Sequence, residues 1–475
     1  MPPRKHRQPP TPETPKSRCS SKRRWIALMS SWAAIATLPA ASARAAPAPA
    51  YSAEQVVVKY ASGGAPRARA TSPRPAAPGD SGPAAAGTRV VHLAGGESVD
   101  RALRRLRRQR GVVWAVPDYR AHVAGALVPN DRGGGSAAGG WQQMQWNFIG
   151  PASVNAPEGW ANVAAAGGAG GRGVTVAVLD TGVAYANRGP FTRSPDFSRF
   201  QFVAGWDFIA RNGLPNDRNG HGTFVAGTIA EATNNHYGLA GLAYGAHIMP
   251  IRVLDAEGEG EASTIAEGVR FAVDHGARVI NLSLEFSSNV TAADIPELIG
   301  ALQYARRHGV FVDAAAGNEA HAAIAYPARA PNVVAVGATT EHGCLADYSN
   351  DGSGLTLVAP GGGADANLPG DPDCHPEQPA GRDIFQVTFA GSPRRFGIPA
   401  GYEGTSMAAP HVAAAAALVI ASRVLGRRPT PAQIAARLRA TARKLGGGGD
   451  ERLYGAGLLD VGAATRPGVP GALPG

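Results

Sequence analysis

From about residue 145 onward, short apolar runs alternate with longer stretches of helical periodicity. The runs are "VTVAVLD" (174–180), "HIMPIRVLD" (247–255), "ARVINLSL" (277–284), "GVFVDAAAGN" (309–318) and "NVVAVGAT" (332–339). Each is nearly continuous and rich in β-branched residues, the pattern of a strand buried on both faces. Such strands separated by helical segments predict an α/β fold, a parallel sheet wrapped by helices. Residues 361–400 interrupt the alternation and, being irregular and rich in Gly and Pro, read as a long surface loop. The segment that follows, "GYEGTSMAAPHVAAAAALVI" (401–420), predicts a buried helix. Pro is best tolerated in a first turn, so Pro410 places Ser406 at the start of that helix.

The N-terminal part has a different texture. "AEQVVVKY" (53–60) and "TRVVHL" (88–93) read as strands on either side of residues 61–87, a low-complexity stretch that cannot pack a core. "SVDRALRRLRRQR" (98–110) predicts a helix with Ser98 as N-cap and Val99, Ala102, Leu103 and Leu106 on one face. "GVVWAVPDYRAHV" (111–123) follows as a strand. The result is a small α+β unit, and glycine-rich residues 132–140 mark the boundary to the larger part.

Charge divides at the same place. The chain of 475 residues has a formal net charge of +10. Residues 1–126 hold 21 Lys and Arg against 6 Asp and Glu, a net of +15, and the 25 basic and 30 acidic residues of 127–475 leave −5. The larger part is mildly acidic, which removes the main support for a nucleic-acid partner. Part of the basic excess lies in "KSRCSSKRR" (16–24), ahead of the apolar "WIALMSSWAAIATL" (25–38) and the small-residue "ASARA" (41–45). That order predicts a secretory signal peptide, since the apolar run is shorter than a bilayer span. No later segment reads as long and apolar enough to cross a membrane, so the exported product is expected to be soluble. Cys19 would leave with the signal. For Cys344 and Cys374 in an oxidising compartment, one disulfide is the simplest pairing and two free thiols are the alternative.

In open parallel sheets, ligands bind beyond the carboxyl ends of the strands. Asp180 ends one predicted strand and Asn318 another, while His221 follows an Asn219-Gly220 turn and Ser406 opens the alanine helix. Singly these are ordinary: a Ser at a helix start caps it, and a strand-end Asp satisfies local backbone. His411, five positions beyond Ser406 and about 140° around a helix axis, reads as a structural residue rather than its base.

Together, "VLDTGV" (178–183), "NGHGTFVAG" (219–227), "AAAGN" (314–318) and "GTSMAAPHVAA" (404–414) resemble the subtilisin-like serine proteases, with "INLSL" (280–284) and "GAGLLDVGAA" (455–464) extending the likeness over about 128–462. The resemblance implies a secreted endopeptidase with Ser406 as nucleophile, His221 as general base and then acid, and Asp180 orienting the imidazole. Asn318 and the Ser406 backbone N–H would receive the oxyanion. The segments that would flank an added substrate strand are Ser283, Leu284 and Glu285 on one side and Ala314, Ala315, Ala316 and Gly317 on the other. Here the family's usual Ser-Leu-Gly-Gly is Ser283-Leu284-Glu285-Phe286. Glu285 either biases the cleft toward basic side chains or turns to solvent.

The same resemblance implies a division into signal peptide (1–45), inhibitory and chaperone-like propeptide (46–126), peptidase domain (127–465) and tail (466–475), with self-cleavage between 123 and 130. "ATNNHYGLAG" (232–241) resembles a calcium loop, with the Asn235 side chain and the carbonyls of Thr233, Tyr237 and Leu239 as ligands, joined by Asp196 and Asp131. All are hard oxygen donors, as Ca²⁺ requires. The expected product is a monomer that meets protein or peptide substrates and its own propeptide. An α/β-hydrolase esterase would need G-x-S-x-G, and Gly404-Thr405-Ser406-Met407-Ala408 lacks the second glycine. The remaining alternative is an inactive relative that serves as a binding module.

Overall fold

The computed structural model describes residues 51–61, 88–93, 97–119, 127–447 and 450–468. The signal segment, residues 62–87 and the first half of the proposed cleavage region (123–126) lie outside them. The chain divides into two compact units between His122 and Val123.

The first unit is the predicted α+β module. Strands β1 (Tyr51–Tyr60), β2 (Thr88–His92) and β3 (Val112–Tyr119) form an antiparallel sheet in the order β2-β1-β3. The helix Val99–Arg107 buries the predicted face, Val99, Ala102, Leu103 and Leu106, against Val56, Val58 and Ala115. Ser98 occupies the N-cap position but makes no side-chain capping hydrogen bond.

The second unit is built on a seven-stranded sheet. Its strands are β4 (Thr175–Asp180), β5 (Trp206–Asp207), β6 (His247–Arg252), β7 (Val279–Leu282), β8 (Phe311–Ala315), β9 (Val334–Thr339) and β10 (Leu357–Pro360). They are all parallel, in the order β10-β9-β8-β7-β4-β6-β5. Chain order reverses at β4, which lies between β6 and β7, so a crevice opens beyond its carboxyl end.

Alternate side chains along β4 enter opposite cores. Val176 and Val178 pack with the helices His221–Ala230 and Thr405–Ser422, while Ala177 and Leu179 pack with Ala262–Asp274 and Pro296–Arg307. The period of two in a strand makes a continuous apolar run necessary when both faces are covered.

Three expectations need correction. The helix Thr405–Ser422 does have the length and hydropathy of a membrane span, but 89% of it is buried inside this unit. Its alanines let β7, β8 and β9 pack closely around it. Pro410 is its sixth residue, one turn later than expected. The segment 361–400 is not simply a surface loop: it carries a hairpin of β11 (Thr388–Ser392) and β12 (Arg395–Gly397), and Ile384, Gln386, Val387 and Thr388 are buried.

Candidate active site

Asp180 is the last residue of β4 and is fully buried. Both its oxygens face His221: Nδ1 lies 2.8 Å from Oδ1 and 3.0 Å from Oδ2. His221 is the first residue of its helix, reached through a turn in which Gly220 adopts φ 112°, a conformation natural to glycine. Burial draws the imidazole pKa down. The Asp180 charge, its hydrogen bond and the charge of Asp217 outweigh that and leave it raised above its ordinary 6.5.

Asp217 is a site residue that the sequence reading missed. Buried beneath the turn, it accepts from the backbone N–H groups of Asn219 (2.9 Å), Gly220 (3.0 Å) and Thr223 (2.9 Å) and from the hydroxyls of Thr181 (2.9 Å) and Thr223 (2.6 Å). Five donors on one carboxylate fix the turn that presents His221. The available signal was its position in "NDRNGHG", where an acid precedes a turn and a helix start.

Ser406 is the second residue of the alanine helix, and among the described residues nothing accepts from its backbone N–H. Its hydroxyl donates to the Ser283 carbonyl at 3.2 Å, and no hydrogen bond joins it to His221 among the described residues. Catalytic hydrogen bonds are often unmade until substrate binds. Pro410 has no N–H, so the carbonyl of Ser406 lacks its helical partner and instead accepts from Ser283 Oγ at 2.8 Å. Two contacts with Ser283 thus hold the Ser406 segment against the end of β7.

Asn318 stands exposed three residues beyond β8. Its Oδ1 accepts from Thr405 N (2.8 Å) and Thr405 Oγ1 (2.9 Å). The backbone N–H can only donate, so the Oδ1 edge is fixed and Nδ2 is presented on the other side. Tyr348 holds the same corner, accepting from Gly404 N at 2.9 Å and donating to Gly362 O at 2.8 Å.

His221 and Ser406 line one cleft of ≈ 460 Å³ together with Ser283, Leu284, Glu285, Phe286 and Glu257–Gly260. Ala314, Ala315 and Ala316 are not among the described residues that line it. They are buried, with side chains that enter the two cores, and Gly317 is buried behind Asn318. His411 is the structural residue expected, buried between Asn147 Nδ2 (2.8 Å) and Met407 O (2.9 Å), and burial pushes its pKa down to about 4.

The sequence profile of the subtilase family matches residues 171–457. The chain belongs to that family. This subtilase is 38% identical to Subtilisin BL of Lederbergia lenta over 300 residues, 62% of its own length and 92% of that protein. It is 34% identical to Thermitase of Thermoactinomyces vulgaris over 300 residues, 63% and 90% of the two chains. A solved protease structure from Pseudoalteromonas arctica aligns with a TM-score of 0.56 at 30% identity, covering 71% of this chain and 99% of that one. The subtilase is accordingly a serine endopeptidase that acts on proteins or peptides.

Away from the cleft, the expected calcium residues converge around residues 233–239. Asp131 accepts from the backbone of Asn234 (2.8 Å) and Asn235 (3.0 Å), and Asp196 from Leu239 N (2.8 Å) and Asn235 Nδ2 (2.7 Å). Asp196 is fully buried, and burial pushes its carboxyl up to about 8. Glu231 is also fully buried, and its Oε2 has no hydrogen-bond partner among the described residues. Among those residues, no hydrogen bond reaches the carbonyls of Thr233, Tyr237 or Leu239. No three acidic, His or Cys side chains of the described residues form a metal cluster on their own. Backbone carbonyls and an amide would have to complete the ligand set. Free carbonyls beside buried, uncompensated carboxylates fit a hard cation. The Cys344 and Cys374 sulfurs are at bonding distance, 2.05 Å.

Proposed function

We propose that this subtilase cleaves peptide bonds through an acyl-enzyme on Ser406, with His221 as proton carrier and Asp180 as its orienting partner. The observation that carries this reading is the Asp180–His221 pair at 2.8 Å, facing the same cleft as a serine at a helix N-terminus. Asp180 occupies Nδ1, so Nε2 is the nitrogen left for Ser406.

Rotation about the Ser406 Cα–Cβ bond takes the hydroxyl from the Ser283 carbonyl to Nε2. As Oγ bonds to the substrate carbonyl carbon, its proton passes to Nε2 and the carbonyl oxygen takes the charge. The Ser406 N–H and Asn318 Nδ2 are the donors available to that oxygen. In subtilisin itself, the worked case for this interaction, losing the Asn donor removes roughly 2.7–4 kcal/mol of transition-state stabilisation. The proton on Nε2 then goes to the departing amine as the C–N bond breaks. Water repeats the sequence to release the acid.

The first unit is proposed as a propeptide, removed in maturation, and the signal-like N-terminus supports export of a soluble monomer with one disulfide. Side chains of Asp131, Asp196 and Asn235 and the carbonyls of Thr233, Tyr237 and Leu239 would hold calcium. When bound, the ion supplies positive charge to the carboxylates buried there. The deciding experiment compares the intact masses of secreted wild type and Ser406→Ala. Trimming near 123–130 in the wild type alone supports self-maturation by Ser406. If wild type is untrimmed and cleaves no peptide, an inactive binding module is the better reading.

A further inference from the structure

Glu285 stands where the family pattern has a glycine, and its carboxylate lies on Asn318. Oε1 accepts from Asn318 Nδ2 at 3.1 Å, and the two oxygens lie 3.2 and 3.0 Å from the Asn318 backbone N. Thr405 fixes the opposite edge of that amide, so Nδ2 is held toward the carboxylate. An anionic oxygen therefore already sits on the donor assigned to the oxyanion. Gly317 leaves room for it: a Cβ there would lie 2.6 Å from Glu285 Oε2 and 2.1 Å from Asn350 Nδ2, at φ +115°.

Among the described residues, the half-buried Glu285 carboxylate accepts hydrogen bonds from the Asn318 amide groups, and the charge of Glu319 acts on it as well. The cleft it borders also carries Glu257 and Glu259, and none of the described residues that line it is Lys or Arg. Three carboxylates lining the same cleft as Ser406 and His221 make it attractive to cations. A carboxylate on an amide gains less than the same carboxylate on an ammonium or guanidinium.

We infer that Glu285 is both the specificity-determining residue of this cleft and a latch on Asn318. In the free enzyme it covers the amide. A Lys or Arg side chain of the substrate, entering beside Ser406, draws the carboxylate onto itself and leaves Nδ2 open to the oxyanion. A substrate with an apolar side chain must break the Glu285–Asn318 contact without that return. The inference rests on the proposed role of Asn318, and it names the substrate class: chains with a cationic side chain at the residue whose carbonyl is attacked.

The test uses full-chain wild type, Glu285→Gln and Glu285→Gly, with one aliquot of each titrated with diisopropyl fluorophosphate to count active serines and the untreated remainder kept for kinetics. The kcat and KM of two peptide anilides, identical except for Arg or Leu before the scissile bond, are then measured separately. The expected wild-type preference for Arg is roughly tenfold to a hundredfold, the scale of one hydrogen bond to a charged group. Both variants should lose that preference. Glu285→Gly should also raise kcat on the Leu substrate, a change that loss of packing alone would not produce. Serines that react in all three proteins, with an Arg-to-Leu ratio that stays within about twofold of wild type, would overturn the inference and leave the protease reading standing. If Ser406 does not react in the wild type, both fall together.

Discussion

Asp180 grips His221 Nδ1 with both carboxylate oxygens, at 2.8 and 3.0 Å, from the buried end of β4. In the proposed mechanism the pair sets the pH at which the enzyme works. A base must be neutral to accept a proton, and the His221 pKa is raised above 6.5, so kcat/KM should climb with pH through an inflection above that value. Asp180→Asn removes the charge and the fixed tautomer. A pH–rate profile should then show the inflection moved down and a loss on the order of 10⁴-fold, a magnitude taken from subtilisin itself. An inflection unchanged by the substitution would contradict the arrangement.

The residue after His221 is under a tight backbone constraint. A Cβ at Gly222 would lie 2.1 Å from the Gly182 carbonyl oxygen and 3.0 Å from Asp180 Oδ1. Neither the backbone oxygen nor the gripped carboxylate can yield without moving the other. Gly222→Ala should therefore cost about 1–3 kcal/mol of stability, as overpacking does. It should lower kcat on the order of 100-fold, as a misplaced catalytic group does. Urea unfolding and peptide hydrolysis of the same preparation check both; a variant with wild-type kcat would show that the contact is relaxed at no expense.

Calcium removal offers a test independent of catalysis. In the Ser406→Ala background, which excludes autolysis, EDTA should lower the melting temperature and added CaCl₂ should restore it. At a free concentration of about 100 Kd, a ligand bound only to the native state adds about 2.7 kcal/mol. Asp196→Asn should abolish the response to CaCl₂. Identical melting curves in EDTA and CaCl₂ would dismiss the site.

The Cys344–Cys374 link spans 30 residues of sequence, from just after β9 to the segment that leads into β11. A closed loop of that length restrains the unfolded chain by about 3–4 kcal/mol in the chain-entropy account. Replacing both cysteines with serine should lower the unfolding free energy by that order, and a reducing agent should affect only the parent protein. Equal stability of parent and double variant would exclude the bond as a stabilising link.

Much of this enzyme was legible along the chain because burial on a sheet or helix face imposes a local period. The five central strands, the amphipathic helix at Val99–Arg107 and the alanine helix all follow from such runs, and Asp180 and His221 lie at the ends of elements where a crevice forms, with Asn318 three residues beyond β8 rather than at its end. What periodicity cannot carry is contact between distant segments. Asp217 orders the His221 turn through five donors, and the Ser406 carbonyl finds Ser283 only because Pro410 lies one turn further on than a first-turn proline would. The 361–400 segment contains few apolar residues in any period, yet its hairpin delivers Thr388 to the Gly220 carbonyl, 2.6 Å away, beside the start of the His221 helix. Sequence likewise left Glu285 between solvent and substrate. The packing of β7 beside β8 brings Glu285 within reach of Asn318, a contact between distant segments that no local period carries.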